Sequence, residues 1–259
     1  MKPSNFKTLA FALLSATALC GGAYANEVGQ SSDTSLLVVG ESVINSPGGT
    51  HTAGRPGVAV LATGLSGIVD FQGLATFAPG DLNGVSTLDY PATVPSDHNS
   101  LGVFQFARTS SQDVWYGEFK QTSNIADGTH TVYYVGEDGG NSATPASGTA
   151  TYTVQGINDY ANKGNLAGEF TATFDSSTFG TLTGSVSGGG RTVSIGTAYI
   201  FGVNFVGSSG SYTDATNTIN GGFVNGKFFG SDADALAGIV SFGNGSNRIY
   251  NTAFGGDKQ

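Results

Sequence analysis

Three histidines, His51, His98 and His130, are the strongest candidate ligand groups in this 259-residue sequence. An imidazole nitrogen can hold a transition metal or move a proton near neutral pH. Softer ligands are scarce, with one cysteine, Cys20, and one methionine, Met1. The histidines match no compact metal-binding run such as H-E-x-x-H. His51 lies in Gly-Gly-Thr-His-Thr-Ala-Gly, His98 in Pro-Ser-Asp-His-Asn-Ser, and His130 opens the run His130–Val135. Support for catalysis is thin. There is no serine–histidine–acid motif in a recognisable context. Gly136–Gly140 and Gly188–Gly190 lack a following helix, so they read as turns rather than phosphate cradles. Asp113 and Glu118 lie along one strand, and nothing marks them as an acid–base pair. The sequence reads as a binding protein and not an enzyme.

The elements that must position these residues are strands. Glycine is abundant, at 41 residues, beside many Thr, Ser, Val, Phe and Tyr, a strand-and-turn composition. Period-2 alternation is clearest after residue 148. In Leu166–Phe174 the residues Leu166, Gly168, Phe170, Ala172 and Phe174 share one face, and Ala167, Glu169, Thr171 and Thr173 share the other. Leu182, Gly184 and Val186 continue the inner face, followed by Val193, Ile195, Thr197, Tyr199 and Phe201. Val224, Gly226, Phe228, Leu236, Gly238, Val240 and Phe242 complete it. From Thr149 onward the runs number eight, the pattern of an up-and-down barrel whose interior is filled by side chains. The outward residues are Thr, Ser, Asn, Glu and Lys, which is unlike the apolar outer band of a membrane barrel.

Residues 26–147 predict strands at Ser35–Ile44, Gly57–Thr63, Gly67–Phe77, Leu101–Thr109, Val114–Gln121 and Thr131–Val135. Two long loops separate them, Asn45–Pro56 and Ala78–Ser100, and loops of that length in a compact domain are usually functional. Gly139–Ser147 has the composition of a boundary. The fold class expected is therefore all-β, with a β-rich N-terminal domain over 26–147 and an eight-stranded antiparallel barrel over 148–259.

Residues 1–25 read as a signal peptide. Lys2 and Lys7 precede the apolar stretch Leu9–Leu19, and Ala23-Tyr24-Ala25 is the small-x-small pattern for cleavage after Ala25. Leu19 before Cys20 fits a lipoprotein cleavage site poorly, so a soluble product is expected over a lipidated form. Cleavage removes Cys20 and Met1, so the fold cannot rest on disulfides. It also removes two lysines, which deepens the formal charge of −9 by two units. An acidic chain repels phosphate backbones and anionic lipid, so no nucleic acid partner and no stable membrane insertion are expected.

Gly221–Gly230 (GGFVNGKFFG), Asp234–Phe242 (DALAGIVSF) and Ala253–Gln259 (AFGGDKQ) resemble the last barrel strands of the transferrin-binding protein B type. Phe228, Gly230, Ala233, Leu236, Gly238, Phe254 and Gly255 occupy the matching positions. Ser231 departs from the pattern, since many relatives carry proline there. Upstream, Asp113–Phe119, Thr131–Gly136 and Gly148–Ile157 resemble the handle and handle-to-barrel junction of proteins exported by the surface lipoprotein assembly modulator, Slam. That subset includes the soluble hemophilins. The resemblance implies a haem-binding handle, a cofactor of the haem b type and a hemophore that delivers haem to a TonB-dependent outer-membrane receptor. It further implies haemoglobin as a haem source and release outside a Gram-negative cell. The alternative is a cofactor-free member that binds host proteins or mediates adhesion.

If haem is the ligand, its iron needs an axial His, Cys, Met or Tyr, and signal cleavage leaves only His and Tyr. His51 and His98, one on each long loop, are the expected axial pair, clamping the porphyrin from opposite faces. His130 reads as a strand-edge residue. Tyr90, Phe104, Phe106, Trp115 and Tyr116 are candidate slot walls, although such residues are more often plain strand core. Arg55 and Arg108 are candidate propionate partners, since guanidinium pairs carboxylates bidentately, or else simply exposed charges.

Overall fold

The computed structural model describes residues 27–61, 67–89 and 101–259. The N-terminal elements are β1 (Glu27–Ser31), β2 (Leu37–Glu41), β3 (Pro56–Val60), β4 (Val69–Asp70), α1 (Phe71–Phe77), β5 (Ser86–Asp89), β6 (Val103–Arg108), β7 (Val114–Lys120) and β8 (Thr131–Glu137). The C-terminal ones are β9 (Ser147–Ile157), α2 (Tyr160–Lys163), β10 (Leu166–Asp175), β11 (Gly180–Gly188), β12 (Arg191–Phe201), β13 (Asn204–Asp214), β14 (Thr218–Phe229), β15 (Ala235–Ser241) and β16 (Thr252–Lys258). A sheet of order β1-β8-β7-β6-β5 and a smaller sheet of β2-β3-β4 make up the N-terminal part. Strands β9 to β16 close into an antiparallel barrel, β16 pairing with β9. No helix among the described residues is long and apolar enough to cross a membrane.

The barrel interior is the alternating face read from the sequence. Leu166, Phe170, Ala172 and Phe174 are buried, whereas Ala167, Glu169, Thr171 and Thr173 are exposed. Phe228 packs against Tyr152, Phe174 and Phe205, with ring centroids 5.7, 5.5 and 5.3 Å away. Burying such a ring contributes about 1.5–3 kcal/mol, and tilted or edge-on ring pairs add about 0.5–1.5 kcal/mol each.

One strand departs from the expected face. At Gly196, with φ +59°, the backbone enters the left-handed region, and the β11–β12 register shifts nearby. A bulge adds one residue and so reverses the facing of all that follows. Ala198 and Ile200 turn inward, while Thr197, Tyr199 and Phe201 face outward, contrary to the simple alternation. Phe201 then packs against the exposed Phe179 at 4.6 Å.

The N-terminal part departs more. The strand expected over Gly67–Phe77 is a two-residue β4 followed by helix α1. Asp70 caps that helix by accepting from the Gly73 backbone N–H at 2.7 Å, satisfying a donor that a helix start leaves open. Phe71, Leu74, Ala75 and Ala78 follow the helical i, i+3, i+4, i+7 spacing and face one core, a period that strand reading overlooks. The loop expected over Ala78–Ser100 contains β5. Strand β1, absent from the sequence reading, pairs with β8 from Glu27 opposite Glu137 to Ser31 opposite Tyr133.

The central sheet has two apolar faces. Phe104, Phe106, Trp115, Phe119, Tyr133 and Val135 pack with α1 and the small sheet. Val114, Tyr116, Val132 and Tyr134 pack on Ile157, Phe229, Ala237 and Ala253 of the barrel. The N-terminal sheet is thus the middle layer between the barrel wall and a separate core.

Candidate functional site

His51 lies on the β2–β3 loop, which is pinned rather than loose. Ser42, buried at its root, donates its hydroxyl to the Thr52 carbonyl at 2.7 Å and accepts from the Arg55 N–H at 3.0 Å. Its backbone N–H donates to the Arg55 carbonyl and its carbonyl accepts from Gly54 N–H. The ring of His51 is held at Nδ1 by Asp70 Oδ1 at 3.2 Å. Asp70 is fully buried. Besides capping α1, it accepts the Thr52 N–H at 2.8 Å, and the Arg55 guanidinium stands 3.8 Å from its other oxygen. Among the described residues, nothing hydrogen-bonds His51 Nε2.

Helix α1 presses on this histidine. A Cβ at Gly73 would lie 2.6 Å from His51 Nδ1 and 2.7 Å from the Thr50 carbonyl, so only glycine lets the helix backbone approach. The ring then lines a cleft of about 240 Å³ with Val58, Val60, Leu74, Phe77, Leu88 and Phe104. An apolar slot bearing, among the described residues, an imidazole with an unengaged nitrogen suits haem, whose face is apolar and whose iron takes a histidine. The residues present fit that group.

His98 and Tyr90 lie outside the described residues. Phe104 lines the cleft as expected. Phe106 and Trp115 instead form the core behind it, Trp115 stacking on Phe71 at 5.6 Å. Tyr116 is on the opposite face, donating to Gln155 at 2.7 Å, so it belongs to the barrel contact and walls no slot there. Arg108 pairs with Asp113 at 3.0 Å and covers the Trp115 ring. Arg55, partly exposed beside Asp70, is the better-placed cation. The role of Asp70 was missed by sequence reading. Its signal was an aspartate three residues before the glycine of an apolar run with helical spacing.

His130 is fully buried at the sheet–barrel junction. Nδ1 meets the Arg248 carbonyl at 2.8 Å, and Nε2 meets Glu118 at 2.8 Å. A carbonyl and a carboxylate both accept, so both ring nitrogens donate and neither offers a lone pair to a metal. Glu118 also accepts the backbone N–H groups of Asp159 and Tyr160 at 2.7 and 2.8 Å, with Lys120 Nζ 3.4 Å away. Burial alone would raise the Glu118 carboxyl. The His130 bond, the Lys120 charge and these N–H donors outweigh it and hold the group down at about 2. Arg248 adds bonds to the Gly128 carbonyl and to Asp33. The junction is therefore a buried, charged bolt.

A closed barrel carrying a sheet with an apolar, histidine-bearing cleft defines a small all-β ligand-binding protein. The model of the HphA N-terminal heme-binding domain matches residues 22–131, and that of the HphA C-terminal domain matches residues 142–258. The chain belongs to the HphA family, the hemophilins, and haem is its cofactor. Among solved structures it is similar to intact Ap-TbpB with N and C lobes, at 17% identity and TM-score 0.39, over 69% of this chain and 37% of that one. Transferrin binding protein B from serogroup B Neisseria meningitidis matches at 15% identity and TM-score 0.41, over 70% of this chain and 36% of that one. A point variant of the same protein from Actinobacillus pleuropneumoniae H49 matches at 16% and 0.40, over 91% and 100%. The chain thus spans little more than a third of the length of the first of these.

Proposed function

We propose that this protein is a secreted, non-catalytic haem carrier in which His51 Nε2 is one axial ligand and His98 the other. In this reading residues 1–25 are a signal removed after Ala25, residues 26–147 hold haem and residues 148–259 form the barrel. The carrier leaves the cell through the Slam system, takes haem from a source such as haemoglobin and passes it to a TonB-dependent outer-membrane receptor. The observation that carries the reading is His51 itself, with Nδ1 engaged by a buried carboxylate and Nε2 unengaged among the described residues beside an apolar cleft. Ligand histidines are commonly oriented in this way through their second nitrogen.

The test is hemin titration followed by visible absorption. Wild-type protein is expected to give a six-coordinate, low-spin spectrum. His51→Ala or His98→Ala should leave a five-coordinate or water-ligated haem with a shifted Soret band, and the double variant should lose tight binding. His130→Ala should keep the wild-type spectrum while lowering stability. A double variant with unchanged spectrum and affinity would rule out this ligand pair and turn attention to the tyrosines. An Asn26 N-terminus in culture medium, read by mass spectrometry, tests secretion and processing.

A further inference from the structure

We infer that Asp70 is a positioning residue that fixes the tautomer of His51 and biases the site toward ferric haem. The inference rests on the reading of His51 as an axial ligand.

The Asp70 oxygens accept hydrogen bonds and do not donate here. Oδ1 takes the Thr52 N–H at 2.8 Å and stands 3.2 Å from His51 Nδ1, while Oδ2 takes the Gly73 N–H at 2.7 Å with Arg55 at 3.8 Å. The proton between Asp70 and His51 therefore belongs to Nδ1, which leaves the lone pair on Nε2. The α1 backbone packs closely on this nitrogen, since a Cβ added at Gly73 would lie 2.6 Å from Nδ1. One carboxylate thus caps α1, ties the loop at Thr52 and aims the ligand. Folding of the helix start and readiness of the ligand become a single event. A carboxylate on the far N–H also makes an imidazole a stronger donor, which favours the more highly charged ferric iron over ferrous.

Three measurements test this. Long-range 15N NMR of wild-type protein without haem should place the His51 proton on Nδ1; a proton on Nε2 would overturn the inference. Asp70→Asn must aim an amide N–H2 at one of the N–H donors, and it should weaken hemin binding about 10- to 100-fold. Its ferric-over-ferrous preference should fall about tenfold, a rise of about 59 mV in midpoint potential. Asp70→Ser retains a residue able to cap a helix but removes the carboxylate, so it should show the same rise with a smaller loss of stability. If both variants bind hemin at the wild-type potential, Asp70 is only a helix cap. If His51→Ala leaves the haem spectrum unchanged, it is the ligand assignment that fails. Should neither Asp70 variant fold, the NMR result decides.

Discussion

The barrel and the N-terminal sheet meet the same demand, burying a strand face, by different means. In the barrel every strand has two neighbours, so an alternation of period two, broken only at bulges, fills the interior. Among the described residues, the N-terminal part has an open sheet with edges at β1 and β5, a second small sheet, one two-turn helix and loops tied by single buried polar groups such as Ser42 and Asp70. Repetition gives the barrel robustness. The irregular half carries the ligand cleft, because irregular backbone can place one histidine against one helix start.

The largest effect should come from the barrel. Phe228→Ala removes a ring that packs on three others and should cost about 3–5 kcal/mol, measured by urea unfolding. Haem bound to the protein still folded should keep its spectrum; a changed spectrum would mean that the two halves are not independent in function. Next is the junction. Glu118→Gln should cost about 2–3 kcal/mol, since charged hydrogen bonds of a buried group are lost. The wild-type carboxyl is held near 2 in the fold, below its ordinary value of 4.5. Its stabilisation is therefore full above pH 4.5 and lost as pH falls toward 2, so the gap between wild type and variant should close over that window.

How much of this was legible follows the same divide. The interior residues of β10, β11, β14 and β15 were readable from alternation alone, because closure makes inside and outside a strict period of two. Tyr199 and Phe201 were not, because a single left-handed glycine reverses the count and alternation carries no mark of it. In the N-terminal part, β6, β7 and β8 are readable, but α1 reads as strand since seven residues are too few for a helical period to stand out. His51 was legible as a loop histidine. Its dependence on Asp70 and Gly73 was not, because that contact joins segments the sequence holds apart.

A smaller perturbation probes the bulge directly. Gly196→Val places a Cβ 2.6 Å from the Ser209 carbonyl oxygen in a left-handed conformation and should cost about 1–3 kcal/mol. A variant as stable as wild type would show that the bulge can slip back into simple register. The smallest expected effect lies at the open edge. Glu27 is buried with Oε2 unpartnered among the described residues. Burial first, and then Glu137 and other carboxylates, push its carboxyl up to about 8. Ionising it in the fold therefore costs stability increasingly as pH rises from 4.5 to 8. Glu27→Gln should raise the melting temperature by roughly 2–4 °C at pH 8 and change little at pH 4.

The pairing of β16 with β9 also sets an order of events. Ala253 lies opposite Ile157, and Lys258 opposite Tyr152, so the ring cannot shut until the last strand is in hand. That strand is also a landing site for the first half: the ring of Tyr116 fills the space beside Gly255, and Ser110 and Ser111 donate their N–H groups to Asp257. The N-terminal sheet therefore docks on a strand 146 residues further along the chain, counted from Ser111 to Asp257. Contacts so distant along the chain slow folding, and the ligand-binding half finds its docking face complete only once β16 has joined the barrel.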